Sequence, residues 1–144
     1  MTNDEKQIRD LVESRAAALR AKDPESMVMS YAEKVVVFDL APPLRQPADA
    51  RDTGPVGRWL ATFTGPMDAE VRDLEVTVGG DVAFCTSLNR LSATPAGSAE
   101  QFDLWHRVTL GLRKLDGTWQ VTHVHESVPF EMDGSMRPSV DLEP

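Results

Sequence analysis

The spacing of apolar residues changes period part-way along the chain, and that change constrains the fold more than any other feature. In the first third, apolar residues recur at helical spacing. Ile8, Leu11, Val12 and Leu19 form one stripe, and Thr2-x-x-Glu5 before it reads as a capping box, so a helix is predicted over residues 3–22. Asp23-Pro24-Glu25 starts a second helix, with Asp as cap and Pro in the first turn, and Met27, Val28 and Tyr31 as its apolar side. Val35 to Phe38 form a short strand by their β-branched content. A loop with Pro42, Pro43, Pro47 and Pro55 follows. The spacing of Val56, Trp59, Leu60 and Phe63 predicts a third helix over about 53–64, closed by Gly65-Pro66.

From Glu70 onward the period is two. Leu74, Val76 and Val78 alternate with charged or polar residues, and Gly79-Gly80-Asp81 makes a hairpin turn. Val82, Phe84 and Leu88 share one face of the next strand. Phe102, Leu104, Val108, Leu110 and Leu112 share one face of another. Asp116-Gly117 then turns the chain into a last strand from Trp119 to Ser127. Helices first and an antiparallel meander afterwards predict an α+β fold, in which N-terminal helices cover one face of the sheet. With 144 residues the chain makes one domain, over about 1–130, and residues 131–144 read as a polar tail.

Composition removes several functions. The net charge is −8 and Lys and Arg form no dense block, which argues against nucleic-acid binding. No apolar run approaches the roughly 20 residues that span a bilayer, and the N-terminus lacks the pattern of a signal peptide, so a cytoplasmic protein is expected. The single cysteine, Cys85, builds neither an internal disulfide nor a cysteine metal site. There is no phosphate-binding loop, and no cofactor is expected.

Two segments carry a resemblance. Glu25-Ser26-x-x-x-x-Tyr31-Ala32-Glu33, followed by Val35-Val36-Val37-Phe38-Asp39, resembles the second helix and first strand of ketosteroid isomerases and SnoaL-type polyketide cyclases. Arg107-Val108-Thr109, then Lys114-x-Asp116-Gly117-x-Trp119 and His123-Val124-His125-Glu126-Ser127, resembles the SnoaL-like branch of the nuclear transport factor 2-like superfamily, and also the association domain of calcium/calmodulin-dependent protein kinase II. The resemblance implies a cone-shaped α+β barrel that encloses one pocket and is usually dimeric. It implies no single activity, because the fold hosts isomerases, cyclases, dehydratases and non-catalytic binding domains.

The candidate site residues follow. Asp39 ends an apolar strand, and the resemblance places it where related enzymes keep a carboxylate base. A half-buried carboxylate can take a proton beside a carbonyl. The competing reading is a turn cap. Arg15 points from the centre of the first helical stripe and needs a partner, for which Asp39 and Glu126 are the candidates; otherwise it snorkels to water. It falls where the isomerases carry their oxyanion-hole tyrosine. Their partner acid falls among Val108 to Leu110, which are apolar except for Thr109, so the isomerases' oxyanion hole is not reproduced. His106 is the polar member of an apolar strand face, either an acid–base group or a core-edge histidine.

Plain alternation puts Gln120, Thr122, Val124 and Glu126 on one face of the last strand, and Trp119, Val121, His123 and His125 on the other. The kinase association domain has a pocket arginine at the position of Glu126, which assigns Glu126 to the inside. His123 and His125 lack a third metal ligand and are assigned to the outer face. Tyr31, Phe38, Trp59 and Phe63 are candidate pocket walls or core. The function expected is binding, or acid–base turnover, of a small, largely apolar molecule by Asp39 and His106, with Arg15, Tyr31, Trp59, Phe63 and Glu126 holding it. The alternative is a non-catalytic dimeric association domain. In either case a homodimer is expected through the outer sheet face, near Trp105, Trp119 and His125.

Overall fold

A computed structural model describes residues 1–47 and 49–144. Thr2 caps the first helix, α1 (Asn3–Arg20), by accepting a hydrogen bond from the Glu5 amide at 3.1 Å. Ile8, Val12, Ala16 and Ala18 are its buried residues. Asp23 caps α2 (Pro24–Val28) through the Ser26 amide. Tyr31 is not part of that helix. It opens β1 (Tyr31–Phe38), and the preceding Ser30 carbonyl already accepts from the Val121 amide at 2.8 Å in the sheet.

The third helix is shorter than its spacing suggested. Asp52 caps α3 (Thr53–Leu60), which ends at Ala61. Phe63 starts β2 (Phe63–Gly79) opposite Pro95. Gly65-Pro66 therefore lies within a strand, at an irregularity between Thr64 and Asp68. The positive φ of 70° at Gly65 is one that a residue with a Cβ rarely adopts.

β3 (Val82–Pro95), β4 (Phe102–Leu115) and β5 (Thr118–Ser127) complete a five-stranded sheet of order β1-β5-β4-β3-β2. β2 to β5 form the expected antiparallel meander. β1 joins β5 in parallel, so the sheet is mixed. The helices cover its inner face, with α1 against β2, which gives the α+β cone.

The last strand departs from plain alternation. Leu112 pairs with Val121 but Gly111 pairs with His123, so Thr122 bulges out of the ladder and its hydroxyl donates to the Gly111 carbonyl at 3.3 Å. Gly111 suits the bulge, because a Cβ there would stand 3.2 Å from the His123 Cβ. The bulge shifts the phase by one residue. Trp119 and Val121 consequently join Val124 in the core, at 4%, 0% and 3% exposure. This corrects the expectation that Trp119 lies on the outer face. His123 and His125 do lie outside, where Phe38 meets both rings edge to face. Phe38 is thus an outer-face residue.

The core has two parts. One gathers Ile8, Val12, Cys85, Leu110, Leu112 and Val121 under α1, and the other gathers Leu60, Met67, Leu91 and Ala93 near α3. On β3 the small Ala83 and Cys85 point inward, while Val82 and Phe84 stand half-exposed outside. The C-terminal segment folds back on itself rather than trailing away. Phe130 bridges Pro138, and Ser139 is buried, its hydroxyl donating to Glu131 at 3.0 Å. Among the described residues no helix is long and apolar enough to cross a membrane.

Candidate active site

Between the two core clusters the inner sheet face turns polar. On β3 the buried run Ala83, Cys85 continues as Ser87 and Asn89 before apolar Leu91. Val108 pairs with Ser87 on one side and Glu126 on the other, and His106 pairs with Asn89. β1 runs parallel to β5, with Phe38 opposite His125. The next residue, Asp39, is therefore carried to Glu126. Four strands thus deliver Asp39, Glu126, His106 and Asn89 to one belt at the strand ends.

The two carboxyl groups are in hydrogen-bonding contact. Two carboxylates cannot share a hydrogen bond unless one holds a proton. Glu126 is the group that keeps it. Part of the residue reaches the surface, but the carboxyl end is enclosed. Burial is the largest cause pushing its pKa up, to about 8. The charge of Asp39 and the hydrogen bond to it add to this, and the Arg15 guanidinium partly opposes it. Asp39, read from the sequence as a half-buried base or a turn cap, is exposed, because β1 ends at Phe38 and the chain leaves as a surface loop. Its Oδ1 accepts from the Leu40 amide at 2.7 Å, as a turn cap would, yet its carboxyl also engages Glu126. The two roles coexist.

His106 is half-buried, and its Nδ1 has neither solvent nor a hydrogen-bond partner. Burial lowers its pKa, with the nearby Asp39 charge acting the other way. An unpartnered buried ring nitrogen costs on the order of 1–3 kcal/mol. Such a group is either strain or a site waiting for a partner.

Arg15 forms no ion pair among the described residues, which corrects its expected carboxylate pairing. Its Nη1 donates to the Ser30 hydroxyl at 3.3 Å and its guanidinium lies 5.0 Å over the Tyr31 ring. Serine and the ring face satisfy it, so no ionised carboxylate is needed. Its charge still reaches the interior, as Glu126 and Cys85 both feel it. Trp59 and Phe63 meet edge to face at 5.1 Å, and Phe63 meets Phe102 at 6.0 Å. They wall the α3 end of the cone, where the second core cluster lies, and Trp59 keeps 38% exposure.

At the rim, residues 38–45 together with His125 and Glu126 line an open recess of about 680 Å³. Asp39 and Glu126 form its junction with the belt. Among the described residues, no three His, Cys, Asp or Glu side chains are arranged to hold a metal ion. Ser87 and Asn89 were not singled out from the sequence. The signal for them was the same alternation that put Val82, Phe84 and Leu88 on one face of β3, read from its other side.

The family model of the SnoaL-like domain matches residues 8–131. A nuclear transport factor 2-like protein of unknown function from Pseudomonas putida is 33% identical over 100% of this chain and 99% of its own, with a TM-score of 0.86. A candidate scytalone dehydratase from Novosphingobium aromaticivorans aligns over 97% of this chain and 95% of its own at 15% identity, with a TM-score of 0.77. A candidate calcium/calmodulin-dependent protein kinase II association domain from Xanthomonas campestris aligns over 86% of each chain at 18% identity, with a TM-score of 0.72. The last two likenesses are of fold alone. No curated protein matches the chain.

Proposed function

The chain belongs to the SnoaL-like domain family, and on that premise we propose that its polar belt binds a small, largely apolar molecule with a carbonyl-type oxygen and moves a proton on it. The observation that carries this reading is the contact between exposed Asp39 and proton-holding Glu126, beside the unpartnered His106 Nδ1. An enclosed carboxyl whose pKa is raised, next to an exposed one, divides the roles of acid and base. Asp39 would take the proton from a carbon next to the carbonyl. Glu126 keeps its proton at neutral pH and would donate to the oxygen as negative charge develops there. Arg15 adds positive potential from the helix side, and the apolar clusters on either side of the belt suit an apolar ligand body. The dehydratase name carried by one neighbour of like fold is consistent with proton chemistry of this class.

Exchange of the α-protons of 2-tetralone in D2O, followed by NMR, tests this. Asp39→Asn keeps the shape and removes the base. It is expected to cut protein-dependent exchange on the order of a hundredfold while leaving the affinity for 2-tetralone within about tenfold. Exchange at the parent rate in Asp39→Asn would remove Asp39 from the base role.

We also propose that a second copy covers the outer sheet face. Val82 and Phe84 are 56% and 51% exposed on that face, which also carries Trp105 and His125. Such a face needs cover. Sedimentation at micromolar concentration is expected to give twice the chain mass, and a single-chain mass would refute the dimer.

A further inference from the structure

The belt contains one side chain whose polar group is held ready by another that is itself buried. Ser87 is 9% exposed and its hydroxyl donates to Asn89 Oδ1 at 2.7 Å. That bond fixes the Asn89 amide: Oδ1 is occupied, and among the described residues Nδ2 has no protein acceptor. Asn89 itself is only partly buried. Across the β3–β4 ladder the paired residue is His106, with its buried unpartnered Nδ1. On the β2 side the paired residue is apolar Val71. Along β3 the neighbours on the same face are Ser87 and Leu91. Among its ladder partners and same-face strand neighbours, the polar ones are therefore the serine that orients it and the histidine opposite.

Resting on the acid–base reading above, we propose that Asn89, positioned by Ser87, is the group that reads the ligand's oxygen, and that the ligand class is a neutral carbonyl compound. The chemistry decides the class. An amide N–H is an uncharged donor that pairs with an acceptor oxygen, and the residues paired with Asn89 on its two ladders, Val71 and His106, bring no fixed positive charge to balance an anion. An apolar ligand that lacks the oxygen leaves the amide desolvated and unpaired, which is how such sites discriminate. Asn89 lies on the same face as Glu126, with β4 between them.

The test compares 2-tetralone with tetralin, which has the same ring body and no oxygen, by isothermal titration and thermal shift at pH 7. The parent protein is expected to prefer the ketone by about tenfold or more. Asn89→Ala is expected to abolish most of that preference while still binding tetralin. Asn89→Asp, of the same shape but without the amide donor, is expected to lose it as fully. Ser87→Ala is expected to lose about threefold, since the amide is then free to rotate. A preference unchanged in Asn89→Ala, with both probes still bound, overturns the role of Asn89 and leaves the pocket reading standing. If the parent protein binds neither probe, the pocket reading fails and this inference with it. A variant that fails to fold is recognised by its melting curve, and Asn89→Asp then carries the comparison.

Discussion

Glu126→Gln is expected to stabilise the protein at pH 8 by about 2–4 kcal/mol, and to leave it nearly unchanged at pH 4. The sign follows from where the proton sits. Unfolded, Glu126 titrates near 4.5; folded, it titrates near 8 because burial and the Asp39 charge disfavour its ionised form. Between those values the folded chain holds a proton that the unfolded chain has released. Stability from this group is therefore complete below the unfolded value and declines as pH rises through the window. Above pH 8 the whole cost is present. Glutamine has no such window, stays neutral, and can still donate a hydrogen bond to Asp39. Each pKa unit is worth about 1.4 kcal/mol, and the partial exposure of Glu126 brings the figure below the full product. The gain corresponds to a rise on the order of 5–15 °C in melting temperature. Urea unfolding of both proteins at pH 4, 6 and 8 measures it. A difference that does not grow between pH 4 and pH 8 would show that the carboxyl is not enclosed. The same variant should lose proton exchange, since the acid is gone. A gain in stability with loss of turnover is the signature of a carboxyl kept for chemistry rather than for the fold.

Most of the architecture was legible because most of it is periodic. The stripe of Ile8, Leu11, Val12 and Leu19, and the even-numbered face of β4, were fixed by which residues must leave water. The misreadings share a cause: local signals that tertiary pairing overrode. Gly65-Pro66 has the composition of a helix stop, yet Phe63 and Thr64 already pair with β3, and the glycine serves a bulge in the strand. Tyr31 fits the spacing of α2, but pairing with Val121 starts the strand there. On β3, the alternation put Val82, Phe84 and Leu88 on one face without saying which face is inner, and the larger Val82 and Phe84 turn out to be exposed while the small Ala83 and Cys85 are buried. The inner face carries small residues where α1 lies close. For the proposed belt, the sequence offered candidate members and not their states. Asp39, His106, Arg15 and Glu126 were all named from the sequence. The pattern could not assign the buried carboxyl to Glu126 rather than Asp39, because that depends on β1 ending one residue earlier at the rim. Nor could it give Arg15 its partners, since Ser30 and Tyr31 reach it only once the strand has started.

The bulge at Thr122 makes the largest difference between pattern and structure, and Trp119 measures it. With unbroken alternation Trp119 would share the outer face with His123 and His125. Its loss would then act on association and cost the single chain little. With the bulge, Trp119 is 4% exposed in the core, and its Nε1 donates to Asp4 Oδ1 at 2.9 Å. Lys114 donates to the same oxygen at 3.0 Å, so the start of α1 is tied to β4 and β5 through one carboxylate. Trp119→Ala would leave a large cavity beside Val121 and untie the helix. It is expected to cost about 3–5 kcal/mol. Trp119→Phe keeps much of the packing, loses the hydrogen bond, and should cost about 1–2 kcal/mol. Trp105 is the control. It lies on the other face of the same sheet, half-buried beneath the Arg72 guanidinium at 4.6 Å. Trp105→Ala should therefore cost under about 1 kcal/mol in the single chain, with its main effect on sedimentation. Urea unfolding at low protein concentration separates the two. Equal small costs for both tryptophans would mean that the strand alternates without a break and that Trp119 lies on the outer face with His123 and His125.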